Sequence, residues 1–164
     1  MKPCILLFAI LCFPAFGQML VGNVQKIDKD QIQVKGPARS VIFHADDKTT
    51  VVKLKKSKDL TLLVVGDEVR VNYYGEETLT AVNISAKVTI SGIIAQAARN
   101  HLTVSQGSTD DAASTDRKSG VFVFLNPATK YGVSRDQLKV GRRVHVVGWD
   151  TGDGVMEADK VAVD

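Results

Sequence analysis

Beyond its first 17 residues this 164-residue chain has no cysteine. Both thiols, Cys4 and Cys12, lie in the opening segment, so removing that segment excludes a disulfide, a thiolate nucleophile and a Cys-ligated metal. Long apolar runs are equally scarce. The one present, Ile5 to Phe13, is about half the roughly 20 residues that span a bilayer, and no second candidate follows it. No membrane span is therefore expected. Aromatic residues make up only 6% of the chain and the formal charge is only +3, which argues against a nucleic-acid partner. The three histidines, His44, His101 and His145, are widely spaced and lack a Glu-x-x-His or Cys partner, so zinc-hydrolase spacing is missing. There is no Gly-x-Ser-x-Gly elbow, no phosphate-cradling Gly-Lys-Ser/Thr loop and no dinucleotide fingerprint. No familiar catalytic constellation remains, and the chain reads as non-enzymatic and cofactor-free, with no catalytic or metal-ligating residue assigned.

What is present begins with the opening segment. Met1 and Lys2 form a short charged start, the apolar run follows, and Ala15-Phe16-Gly17 offers small residues at the positions a signal peptidase reads. Residues 1–17 are thus expected to be a secretory signal peptide cleaved after Gly17, with the protein periplasmic or secreted. Lipidation at Cys12 is disfavoured, because Leu11 stands where a small residue is needed and Cys12 falls inside the apolar run. Lys2 is the segment's only charged residue, so its loss lowers the small basic excess by one.

The remainder repeats itself, and internal repetition is stronger evidence of architecture than any single motif. Val21-Gly22-Asn23-Val24, a turn at Asp28-Lys29-Asp30 and Gln31-Ile32-Gln33-Val34 match Ser91-Gly92-Ile93-Ile94, a turn at Ala98-Arg99-Asn100 and His101-Leu102-Thr103-Val104. Further on, Val65-Gly66-Asp67-Glu68-Val69-Arg70-Val71 matches Val140-Gly141-Arg142-Arg143-Val144-His145-Val146, and Leu79 to Ile84 matches Met156 to Val161. The second copy carries two insertions. Gln106 to Ser119, rich in Gly, Ser, Thr and Asp, reads as a mobile loop, and Asp150-Thr151-Gly152-Asp153-Gly154 reads as an enlarged hairpin turn. Short β-branched runs with alternation recur without a sustained 3.6-residue period, which predicts an all-β fold. One helical turn is expected ahead of Gly66 (Asp59 to Leu63) and another ahead of Gly141 (Ser134 to Leu138).

Five strands per copy, with a glycine inside the long first strand, fit a small coiled barrel. The pattern carried by Gly22, Gly66, Val69, Val71, Ala81 and Ile84, and again by Gly92, Gly141, Val144, Val146, Ala158 and Val161, resembles an uncharacterised family of secreted bacterial domains with an OB-like barrel. The resemblance implies two tandem five-stranded OB-like barrels, at 18–86 and 87–164. It brings no catalytic residues with it.

The most chemically loaded strand runs from Arg142 to Trp149. If Val144 and Val146 face a barrel interior, alternation puts Arg143, His145 and Trp149 on the other face. That face could hold a sugar, peptide or base, or it could be where the first barrel docks. Arg70 and Tyr74, near the basic run Lys53, Lys55, Lys56 and Lys58, form a second candidate surface, although such lysines also serve as a solvated edge that blocks aggregation. His145, Trp149 and Met156 could suggest copper, but Leu79 stands at the position matching Met156, so a core role is simpler. Asp150-Thr151-Gly152 has the form of an aspartic-protease tripeptide but sits in a hairpin turn, and Asp110, Asp111 and Asp116 lack the alternation of a calcium loop. The expectation is an exported, non-enzymatic binding or interaction module of the bacterial envelope, with an envelope protein or small ligand as partner. The alternative is a periplasmic small-ligand-binding stress protein using the Arg143, His145 and Trp149 face.

Overall fold

A computed structural model describes residues 17–106 and 120–164. Residues 1–16 of the expected signal segment, with both cysteines, and residues 107–119 of the expected mobile loop, with Asp110, Asp111 and Asp116, lie outside the described residues.

The described chain is all-β. Its strands are β1 (Gln18–Ile27), β2 (Gln31–Lys35), β3 (Ser40–His44), β4 (Thr50–Lys53), β5 (Lys55–Ser57), β6 (Glu68–Tyr74), β7 (Thr80–Ala97), β8 (His101–Ser105), β9 (Gly120–Tyr131), β10 (Arg143–Gly152) and β11 (Val155–Val163). Short 3₁₀ turns at Leu60–Leu62 and Arg135–Gln137 occupy the two places where one helical turn is expected. The Asp59 carboxylate starts the first by accepting the Thr61 N–H at 2.8 Å. Among the described residues, no helix is long and apolar enough to cross a membrane.

Alternation decides what each strand buries. In β2, Ile32 and Val34 are buried and the alternating Gln31 and Gln33 are half-exposed; β8 does the same with Leu102 and Val104. Phe43, Val71 and Ile84 from the first repeat and Leu102, Val146 and Met156 from the second join one continuous buried cluster. Each such side chain stabilises the fold by about 1.5–3 kcal/mol.

Strand pairings run in two circuits that each return to their start. In the first, β1 pairs with β2, β2 with β3, β3 with β7, β7 with β6, and β6 with β1. The second links β7, β8, β9, β11, β10 and β7 again. In each circuit one link is parallel, β3 to β7 and β11 to β9. β7 belongs to both, pairing with β6 up to Ala86 and with β10 from Lys87 onward. The expected division at 86/87 therefore falls within one unbroken strand.

The repeats agree down to their irregularities. β1 slips register between Val24 and Lys26 where it pairs with β2, and β7 slips between Ile94 and Gln96 where it pairs with β8. Before each slip sits a glycine with no room for a side chain. A Cβ on Gly22 would lie 2.3 Å from the Lys35 carbonyl oxygen, and one on Gly92 would lie 2.1 Å from that of Ser105. A second shared device was not read from the sequence. Thr49 and Thr129, both buried, donate to the carbonyls of Ala81 (2.6 Å) and Ala158 (2.8 Å). Each hydroxyl also bonds the residue three positions earlier, Asp46 or Asn126.

Candidate functional site

The outer face of β8 and β9 carries three rings in contact, of which Phe124 is exposed and His101 and Phe122 are half-buried. Leu102 and Val123 pair across the two strands and point into the core, so the flanking pairs His101–Phe124 and Thr103–Phe122 point outward. His101 stacks on Phe122 with centroids 4.6 Å apart and planes 23° apart, and Phe122 meets Phe124 edge-on at 5.0 Å. Phe124 is 45% exposed. Beyond residue 17 the chain has only three phenylalanines, Phe43, Phe122 and Phe124. Phe43 fills the first repeat's core, while the other two stay at the surface.

Two open depressions adjoin this face and share Leu125 and Asn126. One is lined by Phe124, Thr151, Val155 and Glu157, the other by Arg99, Asn100, Pro127 and Arg135. Asn126 shapes the shared wall. Its Oδ1 accepts the Ala128 N–H at 2.9 Å, and its Nδ2 donates to Glu157 Oε1 at 3.0 Å. The other Glu157 oxygen takes Arg70 Nη1 at 3.1 Å, so that carboxylate is already engaged. Arg135 is fixed on the opposite side, donating to the Arg99 carbonyl with its guanidinium 5.5 Å from the Tyr131 ring centroid. The combined surface offers apolar ring faces, amide groups and two guanidinium groups.

The second cluster joins the repeats. Alternation carries Trp149 to the outer face of β10, where the first repeat covers it and leaves it 4% exposed. The Arg70 guanidinium lies 4.7 Å from the indole centroid and Lys87 Nζ lies 5.2 Å from it. Lys87 also bonds Asp159 (2.9 Å) and Glu68 (3.1 Å). Partial burial works to lower the Lys87 pKa, but these two carboxylates outweigh it and hold the ammonium above its ordinary value of 10.5. Next along β10, the buried Asp150 accepts the Gly152 N–H at 2.8 Å and the Leu54 N–H of the first repeat. Leu54 has a φ of 61°, rare for a branched residue, and this bond holds it there. Beside Trp149, Gly148 lets β10 and β11 close on each other, because a Cβ there would lie 2.1 Å from the Glu157 carbonyl oxygen.

A family model described as a domain of unknown function, DUF5666, matches the chain twice, over residues 21–85 and 91–162. The chain belongs to DUF5666. The tandem, uncharacterised family expected from the glycine and valine pattern is thus the one present. No curated protein matches the chain.

Among the residues singled out from sequence, the DUF5666 fold brings Arg70 and Trp149 together in the inter-repeat joint. Arg143 and His145 are elsewhere on β10, Arg143 six residues or about 20 Å along the strand from Trp149. Arg143 is exposed, and His145 bonds Asp164 (Nε2, 2.9 Å) and Ser91 (Nδ1, 2.6 Å). Tyr74 is 51% exposed at the end of β6. In the basic run, Lys53 pairs with Asp67 at 2.6 Å and Lys58 donates to the Asp47 carbonyl, while β5 pairs with β4 alone. Met156 is a core residue, 1% exposed. Sequence reasoning missed Phe122, Phe124, His101 and Arg135 as a group. The available signal was Phe122-x-Phe124 on alternate positions of a strand in a chain otherwise so poor in phenylalanine.

Proposed function

We propose that this tandem DUF5666 protein is an exported, non-enzymatic binding module whose contact surface is the β8/β9 face of its second repeat. The observation that carries the reading is the His101–Phe122–Phe124 stack, three rings held in contact on an outer strand face beside two open depressions. An aromatic cluster that reaches the surface, here through Phe124, is a feature of interaction sites. We read each closed circuit of pairings as a small OB-like barrel. In that architecture β8 and β9 are the second and third strands, whose outer face serves OB folds in ligand binding. Export rests on the signal-like residues 1–17.

The alternative surface at Arg143 and His145 loses the indole, which is covered in the joint. What remains there is an imidazole engaged with Asp164 and Ser91 and one exposed arginine. A thermal-shift screen across glycans, nucleotides, polyamines and metals separates the two surfaces, since a binder gains stability in excess ligand. The stabilising class is expected to lose its effect in Phe124→Ala and keep it in His145→Ala. The reverse pattern would move the site to β10.

A further inference from the structure

The two repeats share a fold, so differences between them at matched positions are choices the fold does not impose. The β1–β2 turn of the first repeat and the β7–β8 turn of the second are built alike. Asp28 N–H bonds the Gln31 carbonyl and Ala98 N–H bonds that of His101, both at 2.9 Å. Ala45 N–H reaches the Asp30 carbonyl and Leu125 N–H that of Asn100, both at 2.8 Å. Asn100 therefore stands where the first repeat has Asp30. By the threonine device described above, Asn126 stands where it has Asp46.

In both places the second repeat replaces a carboxylate with its uncharged amide, on the wall of one depression. The same depression is also lined by Arg99, whose matched residue is the basic Lys29, and by Arg135. The outward positions of the adjoining strands change as well. Gln31, Ile42 and His44 in the first repeat become His101, Phe122 and Phe124 in the second. Two negative charges are missing, two guanidinium groups face the space, and aromatic rings replace an amide, an aliphatic side chain and an imidazole. Glu157, which lines the neighbouring depression, is held by Arg70 and Asn126, and Asp136, next to Arg135 in the chain, accepts from Ser134.

Resting on the β8/β9 binding reading, we infer that the ligand is an acidic glycan. A sugar ring stacks on Phe124, the exposed ring of the group, and the carboxylate meets Arg99 and Arg135. A nucleic acid fits less well. A phosphate-tracking groove needs a run of cations, whereas this depression has two.

The test is isothermal titration of the protein with short oligogalacturonides, neutral cello-oligosaccharides of matched length and a dT oligonucleotide. The oligogalacturonide is expected to bind at least about tenfold tighter than either of the others, a gap of about 1.4 kcal/mol. Asn100→Asp, which restores the first repeat's residue, and Arg99→Gln should each weaken it about tenfold, and Phe124→Ala should abolish it. Melting temperatures should be unchanged in Asn100→Asp and Arg99→Gln, whose side chains are exposed, and fall only slightly in Phe124→Ala, which loses its edge-on contact with Phe122. Equal affinity for the neutral glycan, indifferent to Asn100→Asp but lost in Phe124→Ala, would overturn the acidic preference and leave the binding face standing. Indifference of all binding to Phe124→Ala would overturn both. Tighter binding of dT, or no oligogalacturonide binding at millimolar concentration, would overturn the glycan inference.

Discussion

The indole of Trp149, in the second repeat, lies beneath the guanidinium of Arg70, in the first, with Cζ 4.7 Å from the ring centroid. Because β7 runs unbroken through both circuits and this pair closes the space beside it, the repeats should unfold as one unit. Trp149→Ala is expected to cost about 3–5 kcal/mol through lost burial and the cavity left behind. Denaturant unfolding followed by two probes, one in each repeat, checks this. Coincident transitions that shift together are expected, and a shift confined to the second repeat would count against coupling.

Asp150 ties the same joint through backbone groups. Asp150→Ala leaves the Leu54 and Gly152 N–H groups without their acceptor and frees Leu54 from the bond that holds its positive φ. The expected cost is about 1–3 kcal/mol for the Gly152 amide left buried and unpaired, and less at Leu54, which is exposed. Thr151→Ala, two atoms' worth of change at an exposed neighbour, should cost far less. Comparable losses in the two variants would argue against the role given to Asp150.

The paired glycines make a symmetric prediction. Gly22→Ala and Gly92→Ala both force a Cβ against a strand carbonyl and should each destabilise by about 1–3 kcal/mol. Urea midpoints for both variants provide the check, and a loss at only one site would break the equivalence of the repeats.

Stability should fall at both ends of the pH range for named reasons. The Lys87 pKa is raised on folding, so its contribution is complete below 10.5 and disappears as pH rises through the higher folded-state value. Asp46 is the opposite case. The Lys48 backbone N–H above all, with Thr49, holds its carboxyl below the usual 3.8, so its contribution is present above 3.8 and fades as pH falls through the folded-state value. Lys87→Met should flatten the alkaline limb of a pH–Tm profile and Asp46→Asn the acid limb. The second substitution copies what the other repeat already carries at Asn126.

Much of this architecture was legible in the sequence because repetition exposed it. Gly22 and Gly92 declared the bend in the long first strand, and Ile32-x-Val34 and Leu102-x-Val104 declared their inward faces. The unbroken β7 was not legible. Ala86 and Lys87 mark the end of one repeat and the start of the next, but nothing in their identity says that the chain continues straight between them. Trp149 illustrates a different limit. Alternation gives the face on which a side chain emerges, but whether solvent or another repeat lies there depends on packing. Phe122 and Phe124 were passed over for a related reason, since alternating apolar residues in a strand ordinarily read as core. Here Val121 is half-buried, Val123 and Leu125 take the interior, and the larger rings are left outside.

Two-dimensional amide NMR during titration with oligogalacturonide shows directly whether the β8/β9 face of the second repeat is the contact surface. Perturbed resonances are expected to cluster at residues 99–103 and 122–126 and to spare the matching residues 29–33 and 42–46. Shifts centred on Arg143 and His145, or divided equally between the two repeats, would contradict that reading.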